Sequence, residues 1–556
     1  MMATPLSEEA AIGMASLSCF AIDTLSKRYR ANKQSFIVAL ACPNVNHLDH
    51  AQIERATYGA DVLELRIDHL SPGSLTSTIS PPPVDYVLSQ IEALRKMSTL
   101  PILFTIRTVS QGGKFPDQAI EEARELMLAA IRIGCEYIDI ETTWPAALIS
   151  DIIGQKEQTK VIASLHDWTG NFSWNLTSLN EPYRTALGFG DIVKLSLLHT
   201  KESDNHELML FIRDHRERSR KPILAVGMGL EGKLSRVLAP ISMVTHPLLP
   251  VPTAPGQMSV KNINQVRHLT GKIPPKKFVI LGNNISHSLS PVIHNSAFTE
   301  LGLPHNYSIY QTPQFDDSVK DLLKSRDFGG ASVTYPHKLN IQPFLDSISE
   351  NARIIGAVNT VVVGELEEDP TRRTLIGDNT DWLGIQKCIQ NSGIQPNYWN
   401  TAIVLGAGGA ARAAVYALQE LGCSRIIIVN RTMERAKQMV SSFPTIEFSV
   451  VQTLQDVSTP VNCIVACVPA DDMTEANIPQ SIFVSNQPGV LVEMAYRPKV
   501  TAIMQVARRL ELWSVFSGLD VLKGQAYAQF ELWTGYRAPV LAIADVLRVH
   551  ESETRL

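Results

Sequence analysis

Eight short apolar runs, rich in β-branched residues, follow one another in the first half of the chain at intervals long enough for a helix between them. They cover residues 36–42, 62–68, 102–107, 137–141, 160–167, 192–197, 223–229 and 245–251. Strands that are buried on both faces of a parallel sheet are apolar along most of their length. Eight such runs predict an α/β fold that begins with a (β/α)₈ TIM barrel over residues 36–270.

The barrel pattern ends at residues 271–276, where two prolines and few apolar residues indicate a linker. Strand and helix signals then resume and predict a two-part α/β unit: a domain over 277–397, a Rossmann-type domain over 398–520, and C-terminal helices over 521–556 that pack back on the first part. One of these helices is predicted to stop at Gly535. Residues 1–35 contain no clear strand and are predicted to be a helical or disordered leader.

The composition excludes several classes of protein. A net charge of −5 with 45% hydrophobic residues disfavours a disordered chain and a protein that binds nucleic acid through bulk positive charge. Seven irregularly spaced cysteines suit free thiols in a reducing compartment, and no apolar run reaches the length needed to span a bilayer. We therefore expect a cytoplasmic protein with no nucleic-acid or membrane partner. The sequence contains no group of residues with the spacing of metal ligands, so we expect no metal site.

Ionisable residues collect where the predicted barrel strands end, which is where TIM barrels place their active sites. They are Glu64, Arg66, Arg107, Glu141, His166, Asp167 and Lys194. Packing alone does not account for such a cluster. Arginines there supply bidentate donors for a carboxylate.

Lys194 is the candidate nucleophile of this cluster. Its neighbours in the strand are apolar, and desolvation favours the uncharged amine that forms a Schiff base. Taken alone, Lys194 fits a lysine that is merely paired or reaches solvent better than it fits a nucleophile. His166, at the end of the preceding strand, favours the catalytic interpretation because imine chemistry needs a nearby group that moves protons.

A glycine-rich turn joins the strand at 401–406 to a helix and comprises Gly406, Ala407, Gly408, Gly409 and Ala410. Such a turn lets a pyrophosphate approach the helix N-terminus. The next strand, 425–430, ends in Asn430, Arg431 and Thr432, where an NAD site would have an acidic residue. Arginine and threonine suit a 2′-phosphate, so NADP(H) is favoured over a plain turn without a ligand.

The domain before this turn is rich in hydroxyl and amide side chains, together with one lysine and one aspartate. The candidates are Ser288, Ser290, Thr334, Lys338, Asn359 and Asp381. Their chemistry suits a polyol bound next to groups that transfer protons. Each serine taken singly fits a turn or a helix cap better than it fits a ligand-binding residue.

The first half of the chain resembles type I 3-dehydroquinate dehydratases in the motifs at 61–68, 104–107, 112–113, 163–167, 191–194, 232–236 and 254–257. The resemblance implies that Lys194 forms an imine with 3-dehydroquinate, that His166 moves the protons, and that no cofactor is needed. It also implies a substrate-binding set of Glu64, Arg66, Arg107, Arg236 and Gln257. Gln111 stands where an acidic residue is usual, and Thr253 where serine is usual.

The second half resembles shikimate dehydrogenases across 277–545, in the motifs at 283–291, 332–338, 355–360, 377–382, 496–498 and 525–526. The resemblance implies that NADPH reduces 3-dehydroshikimate to shikimate, with Lys338 and Asp381 at the reacting oxygen. It also implies a substrate-binding set of Ser288, Ser290, Thr334, Asn359 and Gln525. Ser332 replaces an asparagine that is often found there.

The two halves occur in the same order as the last two domains of the fungal pentafunctional arom polypeptides, and the product of the first reaction is the substrate of the second. The expected protein is a bifunctional enzyme of the shikimate or quinate pathway. The alternative is a regulator related to the fungal quinate repressor, which senses metabolites without turnover. The presence of Lys194, His166, Lys338 and Asp381 favours the enzyme. The direction of the pathway, the preference for shikimate or quinate, and the oligomeric state stay open.

Overall fold

The structure is a computed structural model, and it describes residues 23–73, 80–251, 254–365, 373–394, 400–470 and 473–553. These residues belong to two compact units. The first lies within 1–273 and includes 301–303, and the second comprises 274–300 and 304–556. Within the described part of the chain, no helix is long and apolar enough to cross a membrane.

Eight parallel strands form the centre of the first unit and confirm the predicted barrel. They are β1 (Ser35–Leu40), β2 (Val62–Arg66), β3 (Ile102–Thr105), β4 (Tyr137–Glu141), β5 (Lys160–Asp167), β6 (Ile192–Leu198), β7 (Ile223–Met228) and β8 (Ile241–Val244). Sequential strands pair with each other, β8 pairs with β1, and β7 lies beside β8, so the sheet is nearly closed. Strands β1 to β4 are buried along their whole length, which explains their continuous apolar sequences.

Helices follow the strands of this unit. They are α1 (Thr24–Arg30), α2 (His50–Ala56), α3 (Val84–Met97), α4 (Ile120–Arg132), α5 (Ala146–Gly154), α6 (Leu176–Phe189), α7 (Asp204–Arg218), α8 (Lys233–Leu238) and α9 (Val260–Leu269). Helix α4 shows why they form: Ala123, Leu126, Met127 and Ala130 recur at helical spacing and are buried. Helix α1 falls within the predicted leader, whose residues 1–22 lie outside the described part.

The prediction of the eighth strand at 245–251 is wrong. The strand is Ile241–Val244, and it pairs with β1 from Ser35 to Val38. Residues 245–251 form turns instead, because Pro247 and Pro250 have no N–H to donate to a sheet.

The second unit begins with a six-stranded mixed sheet. Its strands are β9 (Lys277–Gly282), β10 (Asn306–Gln311), β11 (Phe328–Val333), β12 (Ser347–Ile348), β13 (Thr360–Glu365) and β14 (Arg373–Asp378), in the order β10-β9-β11-β13-β14-β12. The helices of this part are α10 (Ser290–Glu300), α11 (Asp317–Lys324), α12 (Glu350–Ile355) and α13 (Asp381–Asn391).

A parallel sheet of the Rossmann type follows. It comprises β15 (Thr401–Leu405), β16 (Arg425–Val429), β17 (Glu447–Val451), β18 (Cys463–Ala466), β19 (Gly489–Glu493) and β20 (Trp513–Phe516). The order β17-β16-β15-β18-β19-β20 places the first strand at the point where the strand order reverses, which is where such sheets bind nucleotides. The helices are α14 (Gly409–Glu420), α15 (Met433–Val440), α16 (Ala502–Arg508), α17 (Gly518–Thr534) and α18 (Val540–Glu553).

Helix α17 returns from the Rossmann sheet to the mixed sheet. The indole N–H of Trp533 donates to the main-chain oxygen of Val361 in β13 at 2.9 Å. The helix ends at Gly535, whose φ of +70° is the left-handed conformation that glycine adopts at low cost. This return brings side chains of α17 to the same place as those of the mixed sheet.

Candidate active sites

Lys194 lies inside the barrel on β6, where its side chain is 3% exposed. Its Nζ donates to Asp139 Oδ2 at 2.8 Å and to Glu64 Oε1 at 3.5 Å. The three residues come from the alternate strands β2, β4 and β6, whose inward side chains share a layer in such barrels. The amino group therefore lies between two carboxylates, and not in the wholly apolar surroundings that its sequence neighbours suggest.

Arg107 binds two carboxylates in the barrel, that of Asp139, which it shares with Lys194, and that of Glu141. Its Nη2 donates to Asp139 at 2.8 Å, and its Nη1 donates to Glu141 at 2.8 Å. Burial would raise the pKa of Asp139, but the charges of Arg107 and Lys194 outweigh it and lower the pKa to about 2. The guanidinium of Arg107 is thus occupied by protein carboxylates, and its role toward a substrate stays a prediction.

Asp139 was missed by the sequence analysis, although it is the nearest partner of Lys194. The strand Tyr-Ile-Asp-Ile-Glu is buried along its whole length. An aspartate in the middle of a fully buried strand needs a charged partner. The need of this buried aspartate for a charged partner is the feature of the sequence that indicates its role.

His166 lies on β5, beside the strand of Lys194. Its pKa is well below the usual range because of burial and the nearby charges of Arg107, Lys194 and Arg66. The imidazole is therefore neutral near pH 7, and its buried Nδ1 has no hydrogen-bond partner among the described residues. It has the properties of a proton acceptor.

Gln111 contacts the residues of β5 and the loop after it through both its side chain and its main chain. Its side-chain oxygen accepts the main-chain N–H of His166 at 2.7 Å. Its main-chain oxygen accepts the indole N–H of Trp168 at 3.1 Å. The amide therefore fixes the backbone at His166 without adding a negative charge next to the imidazole.

Arg236 lies on α8, and part of its guanidinium lacks a hydrogen-bond partner among the described residues. It is 2% exposed, and its Nε and Nη1 have no hydrogen-bond partner in the described structure. Burial lowers the pKa of Arg236 to about 10. In contrast, Arg66 donates to both oxygens of Asp68, at 2.8 and 2.7 Å. An anion such as a carboxylate would satisfy Arg236.

The residues that the family resemblance assigns to the barrel site line a single cavity, together with Gln111: Glu64, Arg66, Arg107, His166, Lys194, Arg236 and Gln257. Glu141 and Asp167, from the predicted cluster of ionisable residues, do not line this cavity. Thr253 lies outside the described residues. The cavity combines an amine, a neutral imidazole and a guanidinium that can take up an anion. This combination suits imine chemistry on a carboxylic acid.

In the second unit, the strand directions gather the predicted polar residues at one edge of the mixed sheet. Strands β9 and β11 run parallel and end at this edge. Strand β13 starts there, since Thr360 pairs with Ser332 at the end of β11 and with Asp378 at the end of β14. The loops next to these strand ends carry Ser288, Thr334, Lys338 and Asn359, and α13 begins with Asp381 shortly after β14 ends.

Lys338 and Asp381 form the ion pair of this edge. Lys338 Nζ donates to Asp381 Oδ2. The other carboxylate oxygen accepts the side-chain N–H of Asn359 at 2.9 Å. The same amide nitrogen lies 3.3 Å from Gln525 Oε1, which α17 brings to the site. Four predicted residues, from two loops and the two helices α13 and α17, are therefore in direct contact.

Two of the three predicted hydroxyl residues, Ser288 and Thr334, lie on loops at this edge, and the third, Ser290, lies at the start of a helix. Ser288 Oγ accepts the main-chain N–H of Ser290 at 3.3 Å, and Ser290 begins α10 and is buried. Thr334 follows β11, and its N–H donates to the main chain of Leu281 at 2.9 Å. Ser332 points elsewhere: its hydroxyl donates to Gln529 at 2.8 Å.

The glycine-rich turn follows β15 and begins α14. Gly406 has a φ of +106°, which an L side chain rarely adopts, and a β-carbon on Gly408 would meet no atom within 4 Å. A β-carbon on Gly409 would lie 3.6 Å from the side chain of Lys338, so the start of α14 is next to the ion pair. Asn430, Arg431 and Thr432 follow the neighbouring strand β16 at the same edge. The turn is an open cradle at a helix N-terminus and fits a dinucleotide phosphate.

A barrel with a lysine-centred cavity, followed by a mixed sheet with a lysine and aspartate pair and then a nucleotide-type sheet, defines a two-site enzyme of the lyase and oxidoreductase classes. Residues 36–274 match the family Type I 3-dehydroquinase, and residues 280–361 match the shikimate dehydrogenase substrate binding domain. Residues 392–507 match Shikimate / quinate 5-dehydrogenase, and residues 518–548 match the shikimate 5′-dehydrogenase C-terminal domain.

The structure of the dehydroquinate dehydratase and shikimate dehydrogenase from S. pombe AroM is similar over 94% of this chain and 99% of that one, with a TM-score of 0.79 and 36% identity. The pentafunctional AROM polypeptide of Malassezia globosa is 41% identical over 523 residues, which are 92% of this chain and 32% of that protein. This chain thus spans about a third of that relative. It belongs to the family of joined type I dehydroquinate dehydratases and shikimate dehydrogenases. The regulatory alternative is not favoured.

Proposed function

We propose that this chain catalyses two consecutive reactions. The barrel, over 36–270, dehydrates 3-dehydroquinate to 3-dehydroshikimate, and the unit that follows the linker at 271–276 reduces that product to shikimate with NADPH. The observation that carries the proposal is the cavity in which Lys194, neutral His166 and the incompletely paired Arg236 lie together. The ligands are small molecules, and the cytoplasmic location stays a prediction.

In the barrel, Arg236 binds the substrate carboxylate through its unpartnered N–H groups. The amine of Lys194 attacks the ketone carbon and, with loss of water, forms an imine. The protonated imine withdraws electrons, so His166 removes a proton from the adjacent carbon. His166 then gives this proton to the leaving β-hydroxyl, which departs as a second water. Hydrolysis of the conjugated imine releases the product and restores the amine.

In the second unit, NADPH supplies a hydride to the ketone carbon when it is bound. Lys338 donates a proton or hydrogen bond to the ketone oxygen, and Asp381 holds the lysine in place. Ser288, Ser290, Thr334, Asn359 and Gln525 bind the substrate hydroxyls and carboxylate. The N-terminus of α14 binds the pyrophosphate, and Arg431 with Thr432 binds the 2′-phosphate.

The test gives the purified protein 3-dehydroquinate, follows the enone absorbance of the product, and then adds NADPH and follows its oxidation. We expect Lys194→Ala to abolish enone formation and to keep NADPH oxidation with added 3-dehydroshikimate. Lys338→Ala should show the reverse, so that each variant controls for the other. Binding of both ligands without either signal in the unaltered protein would support a metabolite sensor instead. Quinate and shikimate as substrates of the reverse reaction, with NADP⁺, test the substrate preference.

A further inference from the structure

A line of buried polar side chains leads through the second unit to the carboxylate of Asp381. In order, its members are Tyr307, Ser332, Gln529, Thr360 and Asn359, all less than 9% exposed. Successive hydrogen bonds of 2.6, 2.8, 2.9, 2.6 and 2.9 Å join Tyr307 to Asp381 through these residues. Tyr307, Thr360 and Gln529 were not among the residues predicted from the sequence.

Gln529 fixes the direction of these hydrogen bonds. Its Nε2 lies 2.9 Å from Thr360 Oγ1 and 3.3 Å from the main-chain oxygen of Asn359. A main-chain oxygen only accepts hydrogen bonds, so the amino group of Gln529 must lie on this side. Its Oε1 therefore faces Ser332 and accepts the hydroxyl hydrogen. Ser332 in turn accepts from Tyr307, whose pKa burial raises, so that its hydroxyl stays protonated.

The consequence falls on the hydroxyl of Thr360. Its oxygen accepts from Gln529, and its hydrogen is directed to Asn359 Oδ1 at 2.6 Å. The main-chain N–H of Thr380 donates to the same oxygen at 2.7 Å. Turning the Asn359 amide around would set its N–H groups against two donors and its oxygen against the carboxylate of Asp381. The two donors therefore hold the amide with its N–H toward Asp381.

We propose that Thr360 is a positioning residue of the dehydrogenase site, an inference that rests on the proposed reduction of 3-dehydroshikimate. Its hydroxyl fixes the amide of Asn359, and the amide fixes one oxygen of Asp381 while Lys338 occupies the other. The carboxylate is thus held in one orientation for proton transfer at the ketone. Thr360 acts through Asn359 and is fully buried.

Two substitutions at Thr360 separate this role from simple packing. Thr360→Val keeps the shape and removes the hydroxyl, and we expect kcat for NADPH-dependent reduction of 3-dehydroshikimate to fall at least about tenfold. Thr360→Ser keeps the hydroxyl and removes a methyl group, and we expect kcat within about threefold of the unaltered protein. A packing role predicts the opposite order, with valine tolerated and serine impaired.

A second variant tests the line of hydrogen bonds itself. Gln529→Leu removes the donor that directs the Thr360 hydroxyl, and it should also lower kcat. Combined with Thr360→Val, it should cost no more than the slower single variant, because both break the same link. The matched control is Trp533→Phe, on the same helix, which loses one hydrogen bond to Val361 outside this line. Its kcat should stay within about threefold.

The outcomes are distinct. Thr360→Val with unchanged kcat, or Thr360→Ser as slow as Thr360→Val, would overturn the positioning role while leaving the proposed function intact. An unaltered protein that does not reduce 3-dehydroshikimate would overturn the proposed function and this inference with it. If thermal unfolding shows that Thr360→Val does not fold, Gln529→Leu against Trp533→Phe decides the question: equal rates would refute the role.

Discussion

Replacing Arg236 by methionine tests the reasoning about the barrel cavity most directly, because stability and activity should change in opposite directions. The guanidinium is buried, and its Nε and Nη1 have no hydrogen-bond partner among the described residues. Burial lowers its pKa to about 10, which corresponds to about 3 kcal/mol against the charged form. Methionine fills much of the same space without a charge. We therefore expect Arg236→Met to leave the barrel as stable as before, or up to about 3 kcal/mol more stable.

The same substitution should severely impair dehydration. Charge-assisted hydrogen bonds contribute about 1.5–3 kcal/mol each, so losing two of them to the substrate carboxylate lowers kcat/KM at least about 100-fold. Enone formation measures the activity, and hydrogen exchange of barrel peptides in urea measures the stability of the barrel within the full chain. The control is Lys194→Ala, which should abolish turnover but leave the buried carboxylate of Asp139 with Arg107 as its one remaining ion-pair partner among the described residues, and so destabilise the barrel. A barrel that loses more than about 1 kcal/mol with methionine, or keeps its kcat/KM within tenfold, would refute the reasoning.

Three further predictions follow from the charges around the two sites. Asp139→Asn removes the shared partner of two buried cations, and it should destabilise the barrel by about 3–5 kcal/mol in the same exchange assay. A smaller loss of stability would indicate that water reaches Arg107 and Lys194. Gln111→Glu adds a negative charge near His166 and should raise the pKa of the imidazole. Dehydratase activity is lost as the pH falls through that pKa, so the loss should occur at a higher pH than in the unaltered protein. An unshifted pH profile of kcat/KM would exclude His166 as the base. Arg431→Ala should raise the KM for NADPH at least about tenfold and leave that for NADH unchanged, and equal effects on both would place the 2′-phosphate elsewhere.

The barrel could be predicted from sequence because seven of its eight strands are apolar runs that are buried along nearly their whole length. The eighth strand was misplaced because Ile241–Val244 contains a serine and is shorter than the apolar run after it, which prolines keep out of the sheet. Period and hydrophobicity identify strands, but they do not show which of two adjacent runs has N–H groups free to pair.

The functional residues divide in a similar way. His166 stands out because it lies near the carboxyl end of β5, where chemistry is expected, and Lys194 stands out because a lysine among apolar strand residues is a candidate nucleophile. Asp139 does not, because it is surrounded by apolar residues of its own strand and only the folded barrel brings Lys194 to it. Gln529 and Thr360 are 169 positions apart, so their hydrogen bond depends on how α17 returns to β13, which no local pattern encodes.

The proposed binding of the substrate carboxylate by Arg236 predicts that the product inhibits the dehydratase. Dehydration leaves the carboxylate of the substrate intact, so we expect the incompletely paired guanidinium of Arg236 to bind the product about as well as the substrate. An interaction of the same strength throughout the reaction adds nothing to kcat. We therefore expect 3-dehydroshikimate to inhibit the dehydratase with an inhibition constant within about tenfold of the KM for 3-dehydroquinate. Adding NADPH should then straighten the progress curve of dehydration, because the second site removes the inhibitor. In Lys338→Ala the product is not consumed and NADPH should have no such effect. An inhibition constant far above KM would mean that the enzyme distinguishes the two acids by contacts other than the carboxylate.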